Sequence, residues 1–130
     1  MKQMLFIICL IIPFLSGAQS EGIQNKRSLI IGAWHSETDE KWKLVFSVDG
    51  TCIQYYEDRI LETNKYAISN TTPQCGENVL VNDKTSYLSL INQETEEEWC
   101  YEIYGVTEKY LNIRPIDRGG FMIFVRQNVH

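Results

Sequence analysis

Short runs that alternate apolar and polar side chains, separated by turn residues, constrain this chain more than any other feature of it. A strand puts successive side chains on opposite faces, so a period of two marks a sheet with one buried and one solvated face. Eight such runs follow Arg27, at residues 29–36, 42–48, 51–57, 63–69, 85–91, 98–104, 109–114 and 121–126. None of them keeps the 3.6-residue period of a helix. A sheet that is apolar on one side must bury that side, and with no helix to cover it the sheet must cover itself. It can close into a barrel or fold into two stacked sheets. Consecutive strands with short connections tend to be neighbours, which predicts the barrel. The expected fold is all-β: an eight-stranded antiparallel up-and-down β-barrel with no major helix.

Asp49-Gly50 is the clearest turn signal, because this pair tolerates the positive φ angles of a two-residue hairpin loop. Pairing outward from it sets Val48 opposite Thr51, Phe46 opposite Ile53, Leu44 opposite Tyr55 and Trp42 opposite Glu57. That register makes one face mostly apolar and gives the solvent face Lys43, Val45, Ser47, Cys52, Gln54 and Tyr56. The one long connection, residues 70–84, contains Thr71-Thr72-Pro73, Cys75-Gly76 and a small apolar patch, Val79-Leu80-Val81. A loop of roughly fifteen residues is uncommon unless it is functional or pinned, and Cys75 is the residue placed to pin it.

Ahead of the strands lies an apolar stretch from Leu5 to Ile12, preceded by Lys2 and followed by Pro13 and the small residues Ser16, Gly17 and Ala18. This is the pattern of a secretory leader, and the stretch is well short of the roughly 20 residues of a bilayer span. The expected organisation is a signal peptide at 1–18 cleaved between Ala18 and Gln19, a flexible lead-in at 19–28 and a barrel domain at 29–130, secreted or periplasmic. No membrane span is expected. The formal net charge of -5 and pI near 5.0 argue against nucleic acid as a partner, since such proteins cluster Lys and Arg against phosphate. In an oxidising compartment Cys52, Cys75 and Cys100 count most simply as one disulfide and one free thiol. Cys75 with Cys100 is the expected pair, because the strand of Cys100 lies close in sequence to the loop and that of Cys52 lies farther around the wall.

Gly32-Ala33-Trp34 at the head of the first run is similar to the G-x-W signature of the lipocalins and the wider calycins, and Arg126 in the eighth run is similar to their terminal arginine. Residues 42–50, Leu88-x-Leu90 and Cys100-Tyr101-Glu102-Ile103 resemble small secreted bacterial lipocalin-like domains, and Thr107-Glu108-Lys109-Tyr110 faintly resembles the lipocalin T-D-Y motif. The resemblance implies that Trp34 plugs the closed end of the barrel, with Arg126 stacked across it and Gly32 beside it. The first loop, residues 37–41, is shorter than a lipocalin lid, and the four residues after Arg126 leave no room for the C-terminal helix.

With the first strand starting at the closed end, the mouth is made by residues 37–41, 58–62, 92–97 and 115–120. Ligand contacts are expected from inward residues near it: Trp42, Leu44, Tyr55, Tyr66, Leu90, Trp99 and Tyr101. An eight-stranded barrel is just wide enough to hold one small ligand or to be filled by side chains, so these residues read as core first and as pocket lining second. The acidic run 94–98 reads as a solvated loop rather than a calcium site, and His35 as a hydrogen-bonded barrel histidine. Arg59, Arg114 and Arg118 fall on or near the mouth. No G-x-S-x-G, P-loop or H-E-x-x-H occurs, so neither catalysis, a cofactor nor a metal is expected. The expected function is binding of a small hydrophobic or amphipathic molecule. The alternative is a protein-interaction or inhibitor module that presents acidic mouth loops on a side-chain-filled barrel. Peptide mapping under non-reducing conditions should recover Cys75 linked to Cys100 and Cys52 as a thiol; an alkylatable Cys100 would contradict the pairing.

Overall fold

The computed structural model describes residues 18–70 and 85–128. A helix, α1 (Ala18–Ile30), precedes eight strands: β1 (Gly32–Ser36), β2 (Trp42–Phe46), β3 (Thr51–Tyr56), β4 (Arg59–Ser69), β5 (Ser86–Asn92), β6 (Glu98–Val106), β7 (Tyr110–Pro115) and β8 (Met122–Arg126). The strands pair antiparallel in sequence order and β8 returns to β1, closing the barrel, as the alternation predicts. Closure leaves no strand edge unpaired. Among the described residues no helix is long and apolar enough to cross a membrane. The expected Cys75 pairing, residues 1–17 of the expected leader at 1–18 and the Val79-Leu80-Val81 patch lie outside the described residues.

The β2–β3 hairpin corrects one expectation. Its pairs are Trp42 with Tyr56, Lys43 with Tyr55, Leu44 with Gln54, Val45 with Ile53 and Phe46 with Cys52, one residue out of step with a two-residue loop. Ser47 N donates to Thr51 O and Gly50 N to Ser47 O, so the loop has three residues and Gly50 supplies its positive φ of 90°. Asp-Gly marks the turn but not its length. A one-residue slip turns every side chain of a strand to the other face. Cys52, expected on the solvent face, is therefore fully buried in the core. Tyr55 pairs with Lys43 on the outer face. The two-residue loop is instead at β3–β4, where Glu57 and Asp58 both take positive φ, 53° and 65°.

The second correction concerns residues 19–28, expected as a flexible lead-in and found in a 13-residue helix. Its apolar content is only Ile23, Leu29 and Ile30, and Gly22 weakens it from within, so its pattern is too thin to read as a helix. Docking stabilises it: Ile30 is fully buried, and Ile23 and Leu29 pack against the core at the end of the barrel where β1 begins. Arg27 Nη2 donates to Ile68 O at 3.1 Å and Lys26 Nζ to Ser86 Oγ, tying the helix to β4 and β5. Burial lowers the Lys26 pKa.

Trp34 is completely buried beneath this helix, and its indole Nε1 donates to Ile30 O at 2.7 Å. The Arg126 guanidinium lies 4.2 Å from the centre of the Trp34 ring. Its Nη1 donates to Ile31 O at 2.8 Å, its Nη2 to Leu29 O, and its Nε to Glu108 O at 2.6 Å. One planar cation thus holds the C-terminal carbonyls of α1, the β6–β7 turn and the indole face, a use that suits the rigid fork of arginine. Gly32 has φ of 134°, and a Cβ there would lie 2.7 Å from Arg126 Nη1. Phe46, Phe124, Leu88, Leu111 and Ile113 fill the space above Trp34. Gly32→Ala should lower stability by about 1–3 kcal/mol through backbone strain and the displaced guanidinium. Urea denaturation measures this, and an unchanged midpoint would contradict the account of the closed end.

Candidate functional site

The packed interior stops short of the other end of the barrel. At that end, which carries the turns 37–41, 57–58, 93–97 and 116–121, lies a cleft of about 270 Å³, close to the lower limit of roughly 300 Å³ for small-molecule pockets. The turns are locally built. Asn92 Oδ1 accepts from Glu94 N at 2.8 Å and Thr95 N at 3.1 Å, which shapes the acidic run into a turn. Asp39 Oδ1 accepts from Lys41 N at 3.1 Å. Exposed ion pairs join Lys41 to Glu57 and Lys43 to Asp58.

Four of the seven expected lining residues, Trp42, Leu90, Trp99 and Tyr101, meet at this cleft. Trp42 is held from below by an edge-on contact with Phe124, ring centres 5.2 Å apart. Its Nε1 is buried and makes no hydrogen bond. Trp99 stands at the rim, 37% exposed, with the Arg118 guanidinium 5.8 Å from its ring centre. Leu44 is buried in the packed core beneath the cleft. Tyr66 lies toward the closed end, where its hydroxyl donates to Ser47 O at 2.7 Å and its ring meets Phe46 edge-on at 5.0 Å. Tyr55 is lost to the outer face by the register of its hairpin.

Sequence reasoning missed the polar part of the cleft, Gln54, Glu62 and Asp117, together with Pro115 and Met122. Gln54 takes the inward place expected of Tyr55. Glu62 pairs with Gln54 because β4 begins at Arg59, earlier than the expected 63–69 run, and an irregularity between Gln54 and Tyr55 keeps this pair in phase with the interior. The apolar alternation of the eighth run, Met122 with Phe124, was the available signal for Met122. Of the three arginines near the mouth, Arg118 lines the cleft, whereas Arg114 Nη1 donates to the Tyr104 hydroxyl on the outside.

One pleat deeper than Glu62 on β4, Asn64 is 1% exposed, and neither its Nδ2 nor its Oδ1 has a hydrogen-bond partner. A buried amide left in this way costs about 1–3 kcal/mol for each unmade bond. Tyr101 is pushed up to about 12, first by burial and then by the negative charges of Glu62, Cys52 and Asp117, so its phenol is a neutral donor at physiological pH. Burial likewise pushes the Cys52 thiol up to about 12. Among the described residues no three His, Cys, Asp or Glu side chains are grouped to hold a metal. Comparison with protein-family models, with curated proteins and with solved structures finds no match.

Cys52 and Tyr101, the two most strongly raised groups, contribute to the response to alkali. Above the unfolded pKa values, near 9 and 10, the unfolded chain has released protons that the folded chain still holds. Stability should therefore be flat through pH 8 and fall between about pH 9 and 12, each group contributing a slope approaching about 1.4 kcal/mol per pH unit. Urea titrations across this range measure it, and a midpoint that does not move up to pH 11 would contradict the burial of both groups. Native Cys52 should also react with a thiol reagent at pH 8 about a hundredfold or more slowly than in unfolded protein.

Proposed function

We propose that this chain is an extracytoplasmic, lipocalin-like binding protein that takes a small amphipathic molecule into the open end of its barrel and performs no chemistry on it. The observation that carries this reading is the cleft itself. An eight-stranded barrel has only enough side chains to fill its interior, and here they fill the end under α1 and leave the end between Trp42, Trp99 and Tyr101 open. A cleft walled by aromatic and aliphatic groups, with a few convergent polar atoms, is the usual form of a small-molecule site.

The lipocalin-like reading is supported by how Gly32, Trp34 and Arg126 meet at the closed end, and the extracytoplasmic one by the leader pattern at 1–18. A Cys75–Cys100 cross-link belongs to the same proposal. Cys52 faces the core, whereas Cys100 pairs with Ser89, out of phase with inward Leu90 and Trp99, which favours Cys100 as the partner of Cys75. The rival reading, a filled barrel with a protein-binding mouth, is disfavoured by the cleft.

Nile red, a neutral dye that brightens in apolar surroundings, should bind saturably. Trp99→Ala should weaken it by about 5- to 10-fold, the order expected for truncating one aromatic anchor, with little change in stability. Tyr55→Ala, on the outer face, should leave binding unchanged. Equal losses for the two variants, or no saturable binding, would overturn the reading.

A further inference from the structure

The polar groups of the cleft do not suit a purely apolar guest. Glu62 is half-buried in the wall and has no cationic partner among the described residues, unlike Glu57 and Asp58 at the neighbouring turn, which pair with lysines. Asp117 shares the cleft, and its nearest cation, Arg118, reaches it only at 3.8 Å while lying over Trp99. The cleft therefore holds two carboxylates against one guanidinium, and that guanidinium already rests against an aromatic face. Indole and phenol rings attract cations through their quadrupoles, most strongly where water is excluded. The chain's own arginine occupies the rim ring, while Trp42 and Tyr101 stand deeper.

The surrounding field has the same sign. Up-and-down connectivity brings the turns 37–41, 57–58 and 93–97 to the open end, carrying three, two and three carboxylates respectively, of which Glu57 and Asp58 pair with Lys41 and Lys43. A concave site ringed by one sign of charge concentrates ions of the opposite sign. Beneath Glu62, the buried Asn64 amide lacks both a donor and an acceptor partner, and the Trp42 Nε1 lacks an acceptor. Trp42 and Glu62 both line the cleft, so a matching guest would bring an ammonium N–H for Glu62 and a lone pair for the indole N–H.

We infer that the guest is a small organic cation, a primary or substituted amine on an aromatic or short alkyl body, with one hydrogen-bond acceptor elsewhere in the molecule. Glu62 takes the ammonium, Trp42 and Tyr101 flank it, and Leu90 and Met122 cover the body. This inference rests on the reading of the cleft as a ligand site and adds the charge and class of what enters it.

Three probes of nearly equal size separate the two: tyramine, its alcohol analogue 2-(4-hydroxyphenyl)ethanol, and the carboxylate 3-(4-hydroxyphenyl)propionate. They are titrated into the purified protein by calorimetry, with Nile red displacement reporting the site. Tyramine should bind about tenfold or more tightly than the alcohol, the order one charge-assisted contact supplies, and the carboxylate more weakly than either. Glu62→Gln should erase the preference for tyramine over the alcohol. Arg118→Gln, which removes the resident cation, should strengthen tyramine binding, and Glu94→Gln at the exposed turn should change the preference far less than Glu62→Gln. If Nile red binds and the three probes bind alike, or the carboxylate binds best, the cation inference is overturned and the cleft remains a site. If neither Nile red nor any probe binds, both fall.

Discussion

The closed end of this barrel depends on one guanidinium. Arg126 touches Leu29 O of α1, Ile31 O just after it, the carbonyls of the β6–β7 turn and the face of Trp34. The α1 carbonyl and the indole face present partial negative charge at a partly buried place, and burying such groups unpaired is costly. A cation with several donors in one plane satisfies them together, and its contact with the indole adds about 0.5–2 kcal/mol depending on desolvation. The same geometry explains why Gly32 has no side chain: the space a Cβ needs is taken by the arginine.

Sealing one end decides the character of the other. With α1, Trp34 and Phe46 packed into the lower half, the large side chains are spent on core, and the upper half is left with residues that line rather than fill. This asymmetry separates Leu44 from Trp42 although both point inward from β2: Leu44 is 3% exposed and belongs to the core, whereas Trp42, two residues nearer the mouth, borders the cleft. Charge follows the same axis. The mouth turns are acidic, and the cationic residues of α1 and β8, Lys26, Arg27 and Arg126, are engaged at the closed end.

Much of this architecture was legible in the chain. Eight alternating runs, each near its final place, follow from period and residue type, because a two-residue repeat is a local property, whereas the Gly32, Trp34 and Arg126 positions were read from the resemblance to the lipocalins. The helix was not legible. Ile23, Leu29 and Ile30 make a weak stripe, and only the barrel core beneath them at the closed end makes that stripe helical.

The division between sequence and tertiary structure is sharpest at Tyr55 and Glu62. The sequence determined on its own that the wall is antiparallel, eight-stranded and apolar inside, since those facts repeat along every run and survive small errors. Which side chain reaches the cleft was decided by tertiary structure, because inward and outward differ by one residue. That residue was set by a three-residue loop at Gly50 and by the irregular pairing between β3 and β4. These gave the cleft Gln54 and Glu62 in place of a tyrosine, and with them a polar floor that the apolar pattern by itself did not contain.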